Sequence, residues 1–401
     1  MSPLLVMTIA LVLNTIGFAN YAAVLPALMA DTGFSEAQAG LAGGAFFLSY
    51  AVASPVFAAL TDTLAPRRLY ALGCSLGVAG GVLFPLLSTS YEALVLTRIA
   101  SGIGMAGIYM PGLRLLIESI PADRQARAVG IHVSALTLGL SASFAVSGCA
   151  QSLLGWPSAF MAAAVCAGLA MMLVVATMTS PAMRKVSESL PARLKSVARG
   201  RGIGWMLLAV AGNSWEGMAF RTWWVALLTF AVTSPSNQHF SGLNLALVTA
   251  FTGLLAMPLS SFVAHRAALG QRHRVIAIAA GLSVIAGVVL ALCLDMPFPV
   301  IFAVSVIYIC AIFSDAGSLP PAMLARVSVS DRGAALALMS LSANGAAWAG
   351  VTICGFLLEF SGGRGTIFAW QVAILAMAAG SLMTVIGMLI LERQERQSLS
   401  D

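Results

Sequence analysis

Twelve long apolar stretches, divided six and six by one polar basic segment, leave this chain few ways to fold. A run of about 20 mostly apolar residues crosses the hydrocarbon of a bilayer. The first six runs fall at roughly 4–28, 38–60, 69–89, 92–117, 126–149 and 157–179. The second six fall at roughly 203–231, 242–264, 274–295, 299–324, 333–357 and 367–391. Hydrophobic residues make up 59% of the chain and charged ones 9%, and mean hydropathy is +0.94. A soluble domain cannot hide that much apolar surface around one core. The expectation is an all-α polytopic membrane protein, with twelve transmembrane helices in two pseudo-symmetric six-helix bundles. The halves are read as 1–180 and 203–391, joined by a cytoplasmic basic linker over 181–202 and followed by a cytoplasmic tail at 392–401.

Several other classes lose support on the same residues. The first stretch has no Lys or Arg before Arg67, so it lacks the positive start of a signal peptide and is expected to stay as the first span. All six cysteines fall inside spans, with no CxxC pair and no His at ligand spacing; small packing residues fit them better than a disulfide framework or a metal site. No Gly-x-x-x-x-Gly-Lys-Ser/Thr or His-Glu-x-x-His sequence occurs, which argues against ATP use and against an intramembrane metalloenzyme. No cofactor is expected.

Charge sets the orientation. Of the 21 basic residues, seventeen lie in connectors after even-numbered spans or in the tail, whereas Arg364 alone lies in the opposite set. By the positive-inside rule both termini are cytoplasmic, in a plasma membrane that is expected to be a bacterial inner membrane. The net charge of +6 follows from this asymmetry and needs no nucleic-acid partner. The linker is read as a tether, with contact to anionic headgroups as the alternative.

The two halves echo one another. Asp123-Arg124 after span 4 returns as Asp331-Arg332 after span 10, and Ala58 to Asp62 after span 2 is matched by Ser261 to Arg266 after span 8. Such a parallel repeat implies halves related by an axis along the membrane normal. At these residues the chain resembles the major facilitator superfamily. The family's loop Gly-x-x-x-Asp-Arg-x-Gly-Arg-Arg/Lys is present as Ala58-x-x-x-Asp62-Thr63-x-Ala65-Pro66-Arg67-Arg68, keeping the Asp and the final arginines. Span 4 carries Arg98, Gly102 and Gly104 in the family's Arg-x-x-x-Gly-x-Gly pattern. The resemblance implies secondary transport by alternating access, with spans 1, 4, 7 and 10 lining a central cavity.

Four ionisable residues lie at membrane depth, and all fall on those spans: Arg98, Glu216, Arg221 and Asp315. Charge at such depth is costly and marks a partner or a water-filled path. On span 7, Asn213, Gly217, Phe220 and Trp224 share one arc, while Glu216 and Arg221 flank it about 140° apart. A direct pair between the two is therefore not expected, and each should reach another helix. Asn14 and Tyr21 on span 1, Tyr109 on span 4 and Tyr308 on span 10 complete a candidate substrate lining of hydrogen-bonding and aromatic groups. Desolvation disfavours an ionised carboxyl group, so Glu216 and Asp315 are the candidate proton carriers, with structural ion pairs as the rival reading. His132 is read as a hydrogen-bonded interior residue, Asn344 and Trp348 as packing. Trp223 and Trp224 are read as one interfacial ring and one cavity wall.

Where spans 2 and 4 end, Asp62, Arg67, Arg68, Arg114, Glu118, Asp123 and Arg124 are expected to form a cytoplasmic gate of charge pairs; a solvated surface is the alternative. Together these readings point to a monomeric, proton-coupled transporter of a small solute, not an enzyme, with a lean to efflux of small organic molecules by antiport. The Trp215-Glu216 to Arg221-x-Trp223 run is also similar to the branch containing cyanate- and nitrate-type permeases, which would favour uptake of a small anion. Gly130 to Gly139 does not match the antiporter pattern of span 5. From another class, a non-transporting receptor on the same fold stays open.

Overall fold

The computed structural model describes residues 2–87, 90–179, 190–328 and 331–400. Every regular element among them is helical: α1 (Pro3–Thr32), α2 (Glu36–Leu60), α3 (Pro66–Leu86), α4 (Tyr91–Glu118), α5 (Ala122–Leu154), α6 (Pro157–Thr177) and α7 (Leu190–Ala198). There follow α8 (Ile203–Thr233), α9 (Leu245–Ala268), α10 (Arg272–Leu292), α11 (Phe298–Ser314), α12 (Leu319–Leu324), α13 (Arg332–Phe360) and α14 (Ile367–Ser400), with one 3₁₀ turn at Pro235–Phe240. Among the described residues, eleven helical segments are long and apolar enough to span a bilayer, with α11 and α12 counted as one. The twelfth span is α8: it has 31 residues but carries Asn213, Glu216 and Arg221. The fold is that of an all-α polytopic membrane protein. Residues 181–189 of the expected linker, including Arg184 and Lys185, lie outside the described residues, whereas Leu190–Ala198 forms the short helix α7.

Two compact units emerge. The first takes the described residues of Met1–Phe34, Ala45–Ser187 and Leu243–Leu254. Within it α3 runs along α4, and α1 packs on α5 and α6. Glycines allow the α3–α4 approach: a Cβ on Gly73 would sit 2.6 Å from the carbonyl carbon of Gly107. In lipid this close fit supplies the dispersion contacts that hold helices together, since water does not drive them there. The start of α9 joins this unit, where the Asn244 amide donates to the Gly148 carbonyl at 2.8 Å.

The second unit takes the described residues of Ser35–Gly44, Glu188–Gly242 and Leu255–Asp401. Here α14 packs against α8 and α10, and α13 against α8. Gly212 on α8 and Gly380 on α14 face each other's backbone. The start of α2 is held by α13, with the Ala37 N–H donating to Glu359 at 2.8 Å.

One span departs from its expected form. The apolar run 299–324 is two helices, interrupted by a turn at Asp315, Ala316, Gly317 and Ser318. Pro320 and Pro321 follow immediately; proline lacks an N–H and clashes with the preceding turn, so the α11 ladder cannot continue through them. Asp315 caps α11 at the break.

Candidate functional site

Glu216 is fully buried in the second unit and meets three hydroxyl groups from three helices. Its Oε1 accepts from Tyr308 of α11 at 2.8 Å and from Ser283 of α10 at 3.1 Å. Its Oε2 accepts from Ser381 of α14. No cation pairs with it among the described residues. A hydroxyl can donate to a carboxylate or accept from a carboxylic acid. The cage thus satisfies either protonation state after hydroxyl rotation, whereas a guanidinium would favour only the ionised one. Ser283 and Ser381 were not legible as partners beforehand; a lone serine in a very apolar span was their one signal.

Beside this cage, the Asn213 amide donates to Asp315 Oδ1 at 2.8 Å and to the Ile312 carbonyl at 2.9 Å. The second of these satisfies a carbonyl near the broken end of α11, where the helix ladder leaves acceptors open. Phe220 packs edge-on against Tyr308, with ring centroids 4.7 Å apart, and lies 5.4 Å from the Trp224 ring. Arg221 lies on the other flank of α8, its guanidinium carbon 4.3 Å from the Phe313 ring centroid. As expected, Glu216 and Arg221 do not pair.

In the first unit, Arg98 is 3% exposed and sits between two rings, 4.8 Å from the Tyr21 centroid and 4.7 Å from that of Phe46. Each such contact contributes about 0.5–2 kcal/mol, less than the several kcal/mol that burying a cation costs. Asn14 donates to Tyr70 at 2.8 Å and to the Ala10 carbonyl at 2.9 Å. Tyr109 stacks on His132 at 6.4 Å.

Most of the residues expected to line an open cavity are buried. Asn14, Tyr21, Arg98, Asn213, Glu216, Phe220, Trp224, Tyr308 and Asp315 are all buried, while Tyr109 and Arg221 are half-buried. The cause is general: polar groups at depth seek partners inside a helix bundle because lipid offers none. Two expectations need correction on the same ground. Trp223 and Trp224 are both buried, neither at an interface, and Trp223 donates to the Val351 carbonyl at 3.1 Å. His132 is buried, but its Nδ1 has no partner among the described residues; ring stacking rather than a hydrogen bond at that atom holds it.

The charge cluster after spans 2 and 4 is partly assembled. Arg114 donates to Asp62 at 2.7 Å, to Glu118 at 2.8 Å and to the Thr61 hydroxyl at 2.9 Å. Arg67 instead donates to the Met178 carbonyl at 3.1 Å, and Arg68 is exposed. Asp123 and Arg124 pair with each other at 3.6 Å, both mostly exposed. A second cluster went unforeseen: Arg326 pairs with Glu395, and His273 lies 3.2 Å from each of them. Its members come from α10, α14 and the end of α12, far apart in sequence.

The sequence model of the Major Facilitator Superfamily matches residues 7–325. The chain belongs to that superfamily and is an integral membrane protein. A chloramphenicol resistance protein of Streptomyces lividans is 32% identical over 145 residues, covering 36% of this chain and 37% of the relative. Quinolone resistance protein NorA of Staphylococcus aureus is 32% identical over 114 residues, covering 28% and 29%. The chain thus spans 37% and 29% of the length of these two curated relatives. Whole-length similarity comes from solved structures. A bacterial homologue of the human lysosomal transporter Spinster, inward-facing and unoccupied, aligns with a TM-score of 0.79 at 17% identity, over 96% of this chain and 95% of that one. The nucleoside transporter NupG aligns at 0.72 and 16%, over 97% and 99%. They share the fold.

Proposed function

We propose that this protein is a proton-coupled antiporter that exports small amphipathic organic molecules by alternating access. Its setting would be a bacterial inner membrane, with both termini cytoplasmic. The observation that carries the coupling is the Glu216 cage: a fully buried carboxyl group held by three hydroxyls and, among the described residues, by no cation. A group so placed can take up or release a proton without stranding a buried partner, which a transported proton requires. Asp315, held by Asn213 at the helix break, is the second candidate carrier. Broken helices at membrane depth recur where transporters bind ions and substrate.

Export is supported by the drug-resistance names of two matched relatives, from Streptomyces lividans and Staphylococcus aureus. Arg221 and Tyr109, half-buried, are the proposed contacts for a substrate with an aromatic or anionic group. The Asp62–Arg114–Glu118 cluster is proposed as the cytoplasmic latch. Transport by the purified protein in proteoliposomes under an imposed pH gradient tests the reading: a panel of amphipathic antibiotics should include at least one that accumulates only with the gradient. Gradient-independent flux of every transported compound would refute antiport.

A further inference from the structure

Arg98 offers a positive charge that its own unit does not balance. It is 97% buried by its 3% exposure, its Nε has no acceptor, and no carboxylate pairs with it among the described residues. The flanking rings of Tyr21 and Phe46 offset only part of the cost of a cation at that depth. Against the guanidinium lies a cavity of about 40 Å³, lined among others by Asn14, Asn20, Phe46, Arg98, Ser101 and Phe160.

The polar groups around this cavity separate by what they have left to give. Both Asn14 N–H groups are engaged, and the Ser101 hydroxyl donates to the Thr97 carbonyl at 2.9 Å. Asn20 is 3% exposed, and its Oδ1 accepts from the Tyr21 N–H at 2.8 Å. That bond fixes the amide orientation, since a flipped Asn20 would oppose two donors. Its Nδ2 group therefore remains a donor with no acceptor among the described residues. The wall thus combines uncommitted donors on Arg98 and Asn20 with no acid.

We infer that this cavity is a binding site for a small monovalent inorganic anion of about chloride size, held by Arg98 and Asn20 as a resident counter-ion. The cavity has room for a few waters or one such ion, whereas a drug-sized ligand needs several hundred Å³; transported substrate is therefore not the occupant. The ion neutralises Arg98 and ties α1 to α4. The inference does not depend on proton coupling at Glu216.

Thermal unfolding of the purified full-length transporter, in chloride or in gluconate at matched ionic strength, tests this directly. Chloride and bromide should each raise Tm by a few degrees and saturate, while gluconate, too large for the cavity, should not. Asn20→Asp would carry its own counter-charge, so its Tm should no longer respond to chloride; this variant keeps the test valid if Arg98→Gln fails to fold. Crystals grown in bromide should show anomalous density within hydrogen-bond distance of Arg98. Equal Tm in chloride and gluconate, a chloride response retained by Asn20→Asp, or no bromide density at Arg98 would overturn the assignment.

Discussion

Tyr308 donates its hydroxyl to Oε1 of Glu216 at 2.8 Å, joining α11 to α8 through a carboxyl group sealed from solvent. This bond links the proposed proton site to the broken span, because α11 ends seven residues further on, at Asp315. A change of protonation at Glu216 thereby has a mechanical route to the break.

Replacing Tyr308 by Phe keeps the ring against Phe220 but removes one donor from a buried acceptor. Losing such a bond costs about 1–3 kcal/mol. Tyr308→Phe is expected to lower stability by that amount and to slow gradient-driven transport more than substrate binding. Stability and rates equal to wild type would show that this bond carries no weight.

The latch is accessible to solvent, and its energy is correspondingly small. The Arg114 and Asp62 side chains are 18% and 35% exposed, so their pair contributes about 1 kcal/mol. That is too little to decide folding, yet about fivefold in a balance between two transport states. Asp62→Asn is expected to leave expression intact, to shift cysteine accessibility toward the inward-open state and to reduce turnover. Unchanged accessibility on both faces would leave the cluster as surface decoration.

Helix contact in the first unit should be far less forgiving. A Cβ on Gly73 would fall 2.6 Å from the carbonyl carbon of Gly107 and 2.7 Å from Gly104 O, so Gly73→Val forces α3 from α4. A loss of about 1–3 kcal/mol or more is expected. Gly281→Ala, with nothing within 4 Å of its Cβ, should be tolerated. Equal melting of the two variants would contradict the close approach.

Arg221 is held by the Phe313 ring and by no carboxylate among the described residues. Arg221→Gln should raise the apparent KM for an anionic or aromatic substrate by tenfold or more while leaving insertion intact. Kinetics unchanged from wild type would remove it from the substrate path.

The parts legible in the sequence were those that a period or a count can carry. The helical spans and the absence of a Glu216–Arg221 pair followed from hydropathy and 100° per residue. The cage around Glu216 did not: Ser283, Tyr308 and Ser381 lie 67, 92 and 165 residues away, and helix periodicity says nothing about which distant faces meet. The α11–α12 break was foreshadowed by Pro320 and Pro321 but concealed by the apolar run around them. The expectation that one ring of the Trp223–Trp224 pair is interfacial failed for a related reason, since an aromatic ring suits an interface and an interior equally well.

Proton-driven accumulation in proteoliposomes, measured for wild type and Glu216→Gln with one transported compound, tests the central claim most directly. The account predicts that the variant still binds substrate and still equilibrates it down its gradient, but no longer accumulates it when a pH gradient is imposed. Accumulation retained in Glu216→Gln and lost in Asp315→Asn would move the carrier to the helix break. Accumulation retained in the double variant would contradict proton coupling at either carboxyl group.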